Sequence, residues 1–167
     1  TATGVDYNRV ALLLAVLEKR VGLQIQNQDV YINVVGGIKV NEPSMDLGII
    51  LSVSSSFRNL PIDGDVVVTG EVGLTGEIRA VSYIEKRIAE CKKLGFKKIV
   101  IPKNNYASVK DTKGIEIIPV DNLRQAINLI LRGWWIRMYN IDNIMDNKNL
   151  LHALRKISPG TPLRQGL

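Results

Sequence analysis

The sequence predicts an α/β fold, and three observations carry that expectation. Helical and strand patterns alternate through the second half of the chain, as in a layered sheet-and-helix domain. The strand candidates are short, apolar and stopped by glycine or proline. Composition is that of a globular protein able to build its own core, with 46% hydrophobic and 23% charged residues in 167. The length suits one domain, or one domain with an appendage.

Taken in order, Asp6 caps a helix over about Tyr7–Arg20, where Val10, Leu13, Leu14, Leu17 and Val21 fall at helical spacing and Gly22 supplies the stop. Leu23–Gln26 and Asp29–Val35 read as two strands joined at Asn27-Gln28, with Gly36-Gly37 breaking the second. A helix from about Ser44 to Phe57 follows Pro43 and presents Leu47, Ile50, Leu51 and Ser54 on one face. Pro61–Gly64 is a turn, Asp65–Thr69 a valine-rich strand, Gly70–Gly76 a glycine-punctuated stretch and Glu77–Val81 a strand. Tyr83–Leu94 is helical and ends at Gly95. Lys98–Ile101 is a strand, Asn104–Val109 a short helix and Ile115–Val120 a strand. Asp121 then caps a helix to about Leu131, stopped by Gly133. Beyond it the composition changes to Trp134-Trp135, an Asn/Asp-rich stretch, a short helix at Leu150–Ile157 and a Ser-Pro-Gly-Thr-Pro loop. The expected organisation is therefore a domain over 1–132 and an atypical tail over 133–167, partly disordered or a fusion or cloning remnant.

Several function classes are excluded at this level. There is no apolar run of transmembrane length, and Thr1–Gly4 lacks a signal sequence and reads as a cut inside a longer protein. A single cysteine, Cys91, forbids an internal disulfide and fits a cytoplasmic location; it is expected to face the core. One histidine, His152, leaves no zinc cluster and no Ser-His-Asp triad. No phosphate-binding G-x-x-x-x-G-K-[ST] loop occurs. No metal is expected in this chain.

The net charge is +6, and it is uneven. Arg79–Lys103 holds eight basic residues against Glu85 and Glu90. Such a run is either a solvated helix face or a nucleic-acid patch. The DNA-contact candidates are Arg79, Lys86, Lys93 and Lys97. Trp134 and Trp135 are either a base-stacking platform or packing in the tail.

Two segments carry a family resemblance: Val34-Val35-Gly36-Gly37-Ile38-Lys39-Val40-Asn41-Glu42-Pro43-Ser44-Met45-Asp46-Leu47, and Thr69-Gly70-Glu71-Val72-Gly73-Leu74-Thr75-Gly76-Glu77-Ile78-Arg79. The second resembles the T-G-E-I-x-L-x-G-x-V segment of Lon proteases. The whole run, together with Ala2–Arg9 and Leu14–Arg20, resembles the C-terminal Lon-protease-like domain of the RadA (Sms) family of bacterial DNA-repair ATPases, over about residues 1–132. The resemblance implies a Lon proteolytic-domain-like (ribosomal protein S5 domain 2-like) fold. It also implies a parent ATPase acting on recombination intermediates as a DNA-bound ring, with zinc and ATP sites only in N-terminal parts not in this chain. This domain would be a scaffold for the ring, a hexamer, and would help hold single- or double-stranded DNA.

Lon proteases use a Ser-Lys dyad. The resemblance places Pro43-Ser44 on the Lon P-S-A-G segment, with Met45-Asp46 replacing Ala-Gly, and Arg87 on the dyad lysine. A general base must shed its proton near neutral pH. Lysine can be tuned to do so, but arginine stays protonated. Bringing it to pH 7 would cost more than about 7 kcal/mol. Arg87 therefore cannot activate Ser44, and no catalysis is expected. Lys86 is one position away, about 100° around the helix, and should point elsewhere. Ser44 is then a helix-start residue or a residual nucleophile; Arg87 pairs with an acid such as Glu71 or Asp46, or contacts phosphate. Rival readings are a serine-dependent peptidase domain and an assembly domain that never touches DNA. Met145–Arg164 resembles the start of the DNA-integrity scanning diadenylate cyclase, mainly through Pro159-Gly160-Thr161-Pro162-Leu163-Arg164. It carries none of that enzyme's catalytic core.

Overall fold

The computed structural model describes residues 1–138, with side chains through residue 131. The elements run β1 (Ala2–Thr3), α1 (Tyr7–Val16), a π-helical turn (Leu17–Val21), β2 (Ile32–Asn33), a 3-10 turn (Pro43–Met45), α2 (Asp46–Arg58), β3 (Val66–Val68), β4 (Glu71–Val72), β5 (Ile78–Arg79), α3 (Ile84–Lys93), β6 (Lys98–Pro102), α4 (Lys103–Tyr106), β7 (Glu116–Val120) and α5 (Leu123–Met138). The α/β class is as expected.

A parallel sheet in the order β3-β6-β7 forms the centre. β6 is its middle strand, so both of its faces are covered and its side chains are apolar in succession. Val100 points into a core built from α1, α2, α5, β4 and β5; Ile99 and Ile101 point the other way, against α3, Val109 and Ile115. All three are fully buried. The helices fit by their stripes: Val10, Leu13, Val16 and Leu17; Leu47, Ile50, Leu51 and Ser54; Ile84, Ile88 and Cys91. The Asp6 side chain caps α1 by accepting from Arg9 N at 2.7 Å, and Gly22 ends the π-helical turn at φ 81°.

Three expectations need correction. Leu23–Gln26 and Asp29–Val35 do not form a hairpin. Ile25 N donates to the Leu23 carbonyl and Gln28 N to the Ile25 carbonyl, so this stretch folds on itself while Leu23 and Ile25 enter the core. Only Ile32–Asn33 is a strand, and it pairs in parallel with Ala2–Thr3. The cap of α5 is Asn122, whose Oδ1 accepts from Gln125 N at 2.9 Å, while Asp121 N donates back to the Gln125 side chain. The Gln125 side chain thus reaches back past the cap to the residue before it, and the cap lies one residue later than expected. Finally, α5 does not stop at Gly133 but runs to Met138, because one glycine costs a helix only about 1 kcal/mol. The Trp134 and Trp135 side chains, His152, the Leu150–Ile157 helix and the cyclase-like segment lie outside what is described.

Candidate functional site

The expected dyad positions sit where the start of α2 meets the β3–β4 connection. Pro43 opens the 3-10 turn and Ser44 is buried in it, 4% exposed. The turn is tied to the neighbouring strand through its backbone. Gly70 N donates to the Ser44 carbonyl at 2.9 Å, the Thr69 hydroxyl donates to the same carbonyl at 3.3 Å, and Leu47 N donates to the Gly70 carbonyl at 3.1 Å. A Cβ on Gly70 would sit 2.8 Å from Ile78 Cγ2, so glycine allows this close approach.

Arg87, on α3, does not reach Ser44 as a base would. Its Nη2 donates to Glu42 Oε1 and its Nε to the Ser82 carbonyl at 3.0 Å. Glu42 is thus the residue that brings the two expected positions together. The Ser44 hydroxyl makes no hydrogen bond of normal geometry among the described residues, yet it lies near enough to the Glu42 carboxylate to be the largest influence lowering its pKa; Arg87 adds to the effect. A carboxylate held ionised by a hydroxyl and a guanidinium is a weak base, and that hydroxyl is enclosed. Lys86 points away, its Nζ 5.4 Å from the centre of the Tyr83 ring.

The acids expected to pair with Arg87 have other partners. Asp46, 2% exposed, receives Arg9 through Nε at 3.0 Å and through Nη2, and also Val72 N at 3.0 Å. Arg9 Nη2 donates to the Val72 carbonyl as well. The Asp46 carboxylate holds the Arg9 guanidinium firmly charged, raising its pKa further. One buried carboxylate therefore joins α1, the first turn of α2 and β4. Neither Glu42 nor the Arg9–Asp46 pair is legible in the sequence, because both depend on contacts between distant segments. The departure Met45-Asp46 was the available signal.

The basic run is largely balanced by acids from other parts of the chain. Arg79 is held by Glu77 at 2.6 Å and Glu71 at 3.4 Å, Lys98 by Glu116 at 3.4 Å and Lys103 by Asp121 at 3.7 Å. Lys93 has only Glu90 at 3.7 Å, with both side chains exposed, a pairing worth little. Lys86 and Lys97 have no carboxylate partner among the described residues. Of the four contact candidates, Arg79 is thus the most committed to the fold, and Lys86, Lys93 and Lys97 are the most available. At the start of α3, Tyr83 is 70% exposed with its backbone in the left-handed region at φ 58°. That conformation costs a non-glycine residue about 1–2 kcal/mol.

Cys91 is buried against the α3 core, and burial is the main cause raising its pKa, so it is not poised as a nucleophile. A groove of about 860 Å³ lies between residues 28–34 on one side and Met45 of the 3-10 turn with Ile49, Val53 and Phe57 of α2 on the other, but Ser44 does not line it. Among the described residues no cluster could hold a metal, and no helix is long and apolar enough to cross a membrane.

Residues 15–133 match the Lon protease (S16) C-terminal proteolytic domain. The DNA repair protein RadA of Bacillus subtilis is 54% identical over 132 residues, covering 79% of this chain and 29% of that protein. RadA of Halalkalibacterium halodurans is 52% identical and RadA of Listeria monocytogenes 50%, each over 130 residues, with 78% of this chain and 28% of the relative covered. The chain thus spans less than a third of the length of these relatives.

Proposed function

Because the chain belongs to the Lon protease (S16) C-terminal proteolytic domain family, and has arginine at the position the dyad lysine would take, we propose that it is a Lon-like domain of a DNA-repair protein that works without peptide hydrolysis, as a module for assembly and for holding DNA. The observation that carries this reading is the Arg87–Glu42 ion pair beside the enclosed Ser44 hydroxyl. Guanidinium cannot take a proton from serine, and Glu42, held in its ionised form, is a poor substitute. Degradation of an unfolded polypeptide tests it: no turnover is expected from the chain. Arg87→Lys should restore little, since Glu42 remains to pair with the new ammonium and Met45-Asp46 still alter the turn. Turnover by the unmodified chain would reject the reading.

The DNA-holding part rests on Lys86, Lys93 and Lys97, which are less tied to acids than the fourth contact candidate, Arg79. Each phosphate contact contributes about 0.9 to the salt slope for duplex and about 0.7 for single strands. Charge reversal at all three in the full-length parent should weaken binding and flatten that slope while the ring stays intact. An assembled variant with unchanged affinity and slope would leave an assembly module with no DNA contact. The assembly proposed is a ring, a hexamer, and sedimentation of the parent protein with and without this domain tests it.

A further inference from the structure

We infer that Tyr83 is a stacking residue for the bases of single-stranded nucleic acid, with the cationic side of α3 holding the adjacent phosphates; this deepens the DNA-holding role above and rests on it. The backbone on both sides of Tyr83 is pinned. Val81 exchanges hydrogen bonds with the Asn105 side chain, N to Oδ1 at 2.9 Å and Nδ2 to the carbonyl at 3.0 Å. Ile84 is buried, and Arg87 ties back to both the Ser82 and Tyr83 carbonyls. Between these anchors the chain passes through a left-handed conformation that glycine would adopt freely, and a large aromatic side chain stands there instead, mostly in solvent. Within the fold the ring meets the Lys86 ammonium, a contact worth little at an exposed site.

The surroundings suit one kind of ligand. Tyr83, Lys86 and Lys93 lie within a sector of about 80° around the helix, spread over about 15 Å of its length. The Lys86 ammonium sits against the ring. Lys97 follows just beyond the helix end, and Glu90 is the acid on this side, bound to Lys93. An aromatic face beside a line of ammonium groups matches bases and phosphates on one strand. In a duplex the bases stack on one another, and the ring would have nothing to cover. An acidic peptide would use the lysines but not the ring.

Fluorescence anisotropy with a labelled oligodeoxythymidylate tests this on the full chain. Tyr83→Gly removes the ring while relieving the backbone, so the variant should be at least as stable as the parent. The expected result is about tenfold or greater loss of single-strand affinity with the salt slope unchanged, near-parental affinity for Tyr83→Phe, and little change for duplex. If Tyr83→Gly binds as the parent does while charge reversal at Lys86, Lys93 and Lys97 weakens binding, the lysines act alone and the stacking role is rejected while DNA binding stands. Equal loss for duplex would reject the single-strand assignment. No binding of either nucleic acid by the parent chain would remove the DNA-holding role itself.

Discussion

The proposed loss of catalysis turns on position 87. Lysine and arginine carry the same charge, but only lysine can be brought to a neutral form by its surroundings. That difference is readable in the sequence; the partner of Arg87 is not. Glu71 and Asp46 were reasonable candidates, yet each is taken by another arginine, and Glu42 stands next to the turn itself. Which acid meets which base depends on the crossing of segments 45 residues apart, and no local pattern encodes it. Asp46 shows the same limit, since its place in the first turn of α2 was legible but its burial with Arg9 and Val72 was not. Asp46→Asn should lower stability by about 2–3 kcal/mol in urea unfolding, below the upper range for buried pairs because Arg9 is partly solvated. A loss under about 0.5 kcal/mol would mean that the pair does not anchor α1 to α2 and β4.

At the scale of elements, the helices and the central strands were legible because their apolar stripes agree with their periods. The β1–β2 region was not: a stretch rich in apolar and polar alternation looks like a hairpin, but its backbone bonds to itself and to the first residues of the chain. The turn between β4 and β5 was visible only as a glycine-rich stretch. There Gly73 leaves room for the Glu77 carboxylate, since a Cβ would lie 1.8 Å from Glu77 Oε1. Glu77 accepts from the Thr75 hydroxyl and amide and from Arg79, and its pKa falls from 4.5 to about 2, the Thr75 hydroxyl being the largest cause. A depressed carboxyl stabilises the fold above its unfolded value, and that contribution disappears as pH falls through the folded one. At face value it is worth about 3 kcal/mol. With the side chain 37% exposed, screening reduces this to about 1 kcal/mol or less. Glu77→Gln should therefore lower Tm near pH 7, and the gap from the parent should close between about pH 4.5 and 2. A gap that persists unchanged to pH 2 would place the effect in packing rather than charge.

Across the whole molecule, the Lon-like fold was legible because two motif segments far apart in sequence meet in space, at the Ser44–Gly70 backbone bonds. The end of the last helix was less so, since α5 continues through Gly133 to Met138. The family explains the shape; the proposal is that Arg87, paired with Glu42, and the enclosed Ser44 leave that shape without the family's usual chemistry. Covalent labelling of the chain with a serine-directed phosphonate, read by intact mass, tests that claim most directly. With Arg87 locked to Glu42 and the Ser44 hydroxyl enclosed, no adduct is expected on the chain or on Ser44→Ala. A stoichiometric mass gain on the chain that is lost in Ser44→Ala would show an activated nucleophile and contradict the account.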